Sequence, residues 1–171
     1  MFAILDDMID VVQMADDFAG QNNMLISPEL YRRYLKPLHK ELFDFVHSRS
    51  SAKVFLHSCG SIRKVIPDLI EIGLDIINPV QVSAAGMDSA ELKREYGEDL
   101  TFWGGAVDTQ RTFDGSHTPE DVREDVKRRV SDLMPGGGFV FATVHNIQGN
   151  VPPENIMAMW ETLQEYGVYT G

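Results

Sequence analysis

His57-Ser58-Cys59-Gly60 closes the apolar run Lys53-Val54-Phe55-Leu56 and holds the single cysteine of the chain. On a strand, residues i and i+2 share a face, so the His57 imidazole and the Cys59 thiol point at one place. A thiolate and a ring nitrogen so placed suit zinc. The pair alone also fits a buried apolar cysteine beside a hydrogen-bonded histidine. A second imidazole, His145, follows another apolar run, Phe139 to Val144. It would complete a set of three ligands, His57, Cys59 and His145, and leave a position open for water or substrate.

Other polar groups sit in equivalent places. Asp16 and Asp17 follow the first apolar run, Gln81 the third, Asp108 and Gln110 the fourth, His145 and Gln148 the fifth. In parallel α/β folds the carboxyl ends of the strands form the active face, so one rim collects all five groups. Asp16, Asp17 and Asp108 are the candidate catalytic carboxylates, and Gln81 and Gln148 the candidate substrate contacts. Taken singly, each of these aspartates fits a helix or turn cap equally well. His39 and His47 read as solvated residues of the helix after Ser27, and His117 as a loop residue. Gly136-Gly137-Gly138 precedes a strand and reads as an αβ turn, not a phosphate loop. Phe55, Phe102, Trp103, Phe139 and Phe141 read as core.

The elements that must position these groups alternate in type. Five runs read as buried strands: Asp10 to Met14, Lys53 to Leu56, Asp75 to Val80, Leu100 to Trp103 and Phe139 to Val144. Helices start at Ser27-Pro28-Glu29, at Thr118-Pro119-Glu120-Asp121, at Asp88 with Glu91, and at Pro152-Pro153-Glu154-Asn155. A segment from Ser61 to Ile72 stops at Gly73. Strand and helix in alternation require parallel strands joined by crossovers, an α/β protein of about five βα units. Five units make part of a (β/α)8 TIM barrel, which usually needs about 250 residues, or alternatively a complete flavodoxin-like doubly wound sheet. Residues 1–171 read as a single domain.

Bulk properties narrow the partners. Fifteen Lys plus Arg against 26 Asp plus Glu give a net charge of -11, which disfavours binding to nucleic acid backbones. No apolar run approaches the roughly 20 residues that span a bilayer, so no membrane association is expected. One cysteine excludes an internal disulfide framework and points to a cytoplasmic setting.

Several separated motifs, in order, carry a resemblance: Asp16-Asp17-Phe18-Ala19-Gly20-Gln21, Ile26 to Tyr31, His57 to Ser61, Asn78-Pro79-Val80-Gln81, Phe102-Trp103-Gly104-Gly105, and His145 to Gln148 with Pro152 to Asn155. Nearly the whole chain resembles the carboxyl-terminal half of the uroporphyrinogen decarboxylase superfamily, specifically its corrinoid-linked methyltransferase branch. The resemblance implies a barrel of which this chain supplies roughly the fourth to eighth strands. It also implies zinc held by His-x-Cys and a distant third cysteine, with methyl transfer to or from a corrinoid protein. His57 and Cys59 match the first two ligands, while His145 stands where the third cysteine belongs. The expected partners are a corrinoid protein, a small methyl donor or acceptor, and another copy or an amino-terminal half-chain that completes the barrel. The alternatives are metal-independent decarboxylation of a tetrapyrrole, with Asp16 or Asp17 anchoring pyrrole N–H groups, and a truncated, non-catalytic binding or assembly subunit.

Overall fold

The computed structural model describes residues 8–169. Five strands, β1 (Val11–Ala15), β2 (Lys53–His57), β3 (Ile76–Asn78), β4 (Thr101–Trp103) and β5 (Phe139–Val140), form one sheet. Every pairing is parallel and the order is β1-β2-β3-β4-β5. A doubly wound sheet has a point where the strand order reverses. This sheet has none, so it is an arc of a (β/α)8 barrel, and the flavodoxin-like alternative is set aside.

The crossovers are helices, two of them opened by side-chain caps. α1 (Lys36–His47) is led in by a turn at Pro28–Leu30 and a π-helical segment, Tyr31–Leu35. The Ser27 hydroxyl accepts from Leu30 N at 3.2 Å. α2 (Ile66–Glu71) follows a 3₁₀ turn at Arg63–Val65. α3 (Ser89–Tyr96) is capped by Asp88, and α4 (Pro119–Leu133) by a reciprocal Thr118–Asp121 box. α5 (Pro153–Tyr166) opens on Pro152 and Pro153.

Strand alternation sorts the side chains into two faces. Val12, Met14, Val54, Leu56, Ile77 and Phe102 join the core under the helices. Gln13, Phe55, His57, Asn78 and Trp103 face the opposite, concave side. Phe55 is buried there, as its residue type suggested, and Trp103 is half-buried beside it, on the face away from the helices.

His39 departs from the sequence reading, because it is only 5% exposed and not solvated. On a regular α-helix Tyr31 and His39, eight residues apart, would be offset by about 80°. The π-helical segment between them is wider, and both rings end on the buried face beside Phe18 and Phe43. Tyr31 Oη lies 3.2 Å from His39 Nδ1, and Asp16 Oδ2 lies 3.1 Å from His39 Nε2.

The amino end of the sheet is tied by Asp75. Its carboxylate accepts from Val54 N at 2.8 Å, lies 2.8 Å from His47 Nε2, and accepts from Lys53 Nζ at 3.1 Å. Burial pushes this carboxyl up, but the Val54 amide, His47 and Lys53 outweigh it and hold it below its ordinary value. A depressed carboxylate stabilises the fold above its unfolded pKa of about 4 and loses that contribution as pH falls through the folded value. Asp75→Asn should cost about 1–2 kcal/mol in urea unfolding at pH 7. The gap between variant and wild type should close below about pH 4; an equal gap at pH 3 would show that the charge contributes nothing.

The outer edge of β1 pairs with no described strand. Beside it Leu38 and Leu42 of α1 stand 56% and 50% exposed and border, with Met14 and Leu56, an apolar pocket of about 210 Å³. Open apolar strand edges are templates for association. Purified alone, these 171 residues should self-associate, as measured by light scattering across a dilution series, and Leu38→Lys with Leu42→Lys should reduce it. A monodisperse monomer at all concentrations would contradict this.

Candidate metal centre

The parallel register sets the site. Ala15 pairs with His57, and His57 with Asn78, so the last residues of three strands form one row across the concave face. The ladder runs one step further, with Asp16 N donating to His57 O at 2.9 Å and Ser58 N to Asn78 O at 2.7 Å. One layer below, Phe55 and Trp103 meet edge to face with centroids 5.3 Å apart. The row and this floor bound an open trough of about 700 Å³ that also reaches Gln13, His145 and Asn146. No Asp, Glu, Lys or Arg is among the described residues lining it.

At the carboxyl rim, Asp17, His57 and Cys59 each offer one ligand atom, all within 4.8 Å of one another. Cys59 Sγ lies 3.5 Å from His57 Nε2, and Cys59 N donates to Asp17 Oδ1 at 2.7 Å. Burial pushes the Cys59 thiol up, and the negative charge of Asp17 adds to the effect. Without a neighbouring cation Cys59 is therefore a protonated thiol at neutral pH.

The turn that aims Cys59 is built by its neighbours. Gly60 has φ +92°, and a Cβ there would stand 2.6 Å from Gly20 O, so only glycine fits. Gly60 N donates to Gln81 Oε1 at 2.7 Å, and Gln81 Nε2 donates to Gln21 Oε1 at 2.6 Å. Gly104 serves a similar close approach, since its missing Cβ would lie 3.3 Å from Asn78 Nδ2.

The structure brings some of the residues singled out in the sequence together and separates others. His145 does not join the cluster; it is exposed on the loop after β5 and borders the trough, while Asp17, read as a catalytic carboxylate, stands beside His57 and Cys59 with a carboxylate oxygen that could ligate an ion. Gln81 is 6% exposed and spends its amide on the Gly60 turn, where a substrate contact was expected. Gln148 is exposed and bonds Asn146 O in its own loop. Asp16 turns toward His39 and not toward Cys59. Asp108 is buried away from the cluster, where Oδ1 accepts from Gln110 N in a local turn. Asn78 had no assigned role, although its place as the last polar residue of a buried strand was a usable signal.

Residues 3–166 match the family model described as Uroporphyrinogen decarboxylase (URO-D). The chain belongs to the uroporphyrinogen decarboxylase family. Among solved structures it is similar to a methyltransferase from Methanosarcina mazei, with a TM-score of 0.71 and 20% sequence identity. That similarity covers 97% of this chain and 45% of that one, so the family member described here spans under half the length of its structural relative. No curated protein matches its sequence.

Gly60→Ala should cost about 3 kcal/mol, because the strain of a left-handed backbone adds to a clash with Gly20 O. Gly136→Ala, at φ +77° with nothing within 4 Å of the added carbon, should cost only about 1 kcal/mol. Chemical denaturation reads both, and alkylation of Cys59 should accelerate only in Gly60→Ala. Equal costs would mean that the Gly60–Gly20 contact does not constrain the turn.

Proposed function

We propose that this chain supplies the metal-holding, carboxyl-terminal part of a methyltransferase that moves a methyl group between a small methylated molecule or thiol and a corrinoid protein. The observation that carries the reading is the Asp17, His57 and Cys59 cluster at the carboxyl ends of parallel strands in a uroporphyrinogen decarboxylase family fold. Its donor set of sulfur, imidazole nitrogen and carboxylate oxygen suits zinc. The similarity to a methyltransferase adds support. When bound, zinc would supply Lewis acidity that lowers the pKa of a thiol or polarises an ether oxygen.

The residues of the chain do the rest. Cys59 and His57 hold the ion, and Asp17 contributes an oxygen while fixing the Cys59 amide. His145, which also borders the trough, would contact the reacting molecule. Phe55 and Trp103 give that molecule an apolar floor and keep water from beneath it.

Purified protein should bind about one zinc per chain. Cys59→Ala, His57→Ala and Asp17→Ala should each remove most of it after dialysis, because water must replace a lost ligand. His145→Ala should leave the stoichiometry unchanged. Full occupancy in Cys59→Ala and His57→Ala would overturn the reading, whereas loss in His145→Ala would restore the ligand set expected from the sequence.

A further inference from the structure

Three hydrogen-bonding steps run in line across the site. Asn78 Nδ2 lies 2.8 Å from Trp103 O, Asn78 Oδ1 lies 2.6 Å from His57 Nδ1, and His57 Nε2 lies 3.5 Å from Cys59 Sγ. A backbone carbonyl can only accept, so the side of the Asn78 amide facing Trp103 must be its NH₂ group. Its oxygen then faces His57, and Nδ1 must carry the proton that this oxygen accepts.

From this chain of contacts we infer that Asn78 is a positioning residue that holds neutral His57 as the Nδ1–H tautomer and leaves the Nε2 lone pair aimed at Cys59 and its shared ligand position. Nothing about the His57-Ser58-Cys59 motif dictates that choice of nitrogen. It comes from the neighbouring strand, whose register places Asn78 beside His57, and from β4, whose last carbonyl sets the direction of the amide. Gly104 follows that carbonyl, and the missing Cβ gives the amide its space. The consequence reaches both partners of the pair. Nε2 accepts from the Cys59 thiol in the metal-free chain and is the nitrogen free to ligate an ion. A ligating imidazole usually donates its other N–H to a fixed acceptor, and loss of such an acceptor weakens metal binding by about 10- to 100-fold.

This inference deepens the metal-centre reading, but its first test does not need a metal. Long-range ¹H–¹⁵N correlation spectra of the metal-free protein, at a pH about two units above the usual histidine value, identify which nitrogen of His57 is protonated. Nδ1–H is expected in the wild type and in Asn78→Asp, which keeps an acceptor, whereas Asn78→Leu should shift His57 toward Nε2–H. Zinc affinity should fall about 10- to 100-fold in Asn78→Leu and be largely retained in Asn78→Asp. A wild-type His57 protonated on Nε2 overturns the inference, as does Asn78→Leu with unaltered tautomer and affinity. If Asn78→Leu does not fold, the wild-type and Asn78→Asp spectra still decide the matter. An Nδ1–H His57 in a chain that takes up no zinc would support Asn78 as the lock while removing the proposed metal centre. Zinc uptake with Nε2–H would do the opposite.

Discussion

The in-register pairing of His57 with Asn78 is the constraint on which the functional end of this protein depends. Side chains along a strand alternate in direction, so a slip of one residue would turn His57 toward the helices and bring Ser58 to the concave face. The register is held from both faces at once. Leu56 and Ile77 bury themselves beneath the helices, while His57 Nδ1 and Asn78 Oδ1 meet at 2.6 Å on the other side. Because the helix-covered residues pack only in this phase, hydrophobic burial in the core also fixes the geometry of the polar row.

The two ends of the sheet use polar groups differently. At the amino end, the Asp75 carboxylate satisfies a backbone amide and gathers His47 and the Lys53 ammonium. At the carboxyl end the groups are less completely used. Cys59 keeps a thiol that burial and Asp17 discourage from ionising, a state that a cation would reverse by stabilising the thiolate. Between the ends, the concave face carries aromatic and amide side chains without fixed charge, in a protein of net charge -11. Charged side chains, including the buried Asp68, Asp108 and Arg129, are absent from the described lining of the trough, a medium in which a few polar contacts carry weight.

The structure brings a second histidine into the argument in a different capacity. His39 joins buried Tyr31 and exposed Asp16 in a chain of contacts beside Asp17. That chain braces the outer side of the loop after β1, while Gly60, Gln81 and Gln21 brace its inner side. Asp17 reaches Cys59 from a segment fixed on both sides, although the carboxylate itself is exposed. Loops position functional groups well when the elements beneath them are rigid.

The amino-acid sequence by itself determined the class of fold, the order of its elements and the place of the thiol–imidazole pair. Five short apolar runs, proline-led helix starts at Ser27 and Thr118, and a His-x-Cys at the end of a run are all local patterns with local causes. The sequence did not determine which third group would join the pair. Asp17 and His145 both follow apolar runs, and only the packing of the β1 loop onto the Gly60 turn brings one of them to the cluster. Neither the burial of His39, which depends on a π-helical turn, nor the service of Gln81 to a backbone amide is a property of its own segment. Contacts between residues 20 to 60 positions apart are set by register and loop closure, and these exist only once the whole sheet has formed.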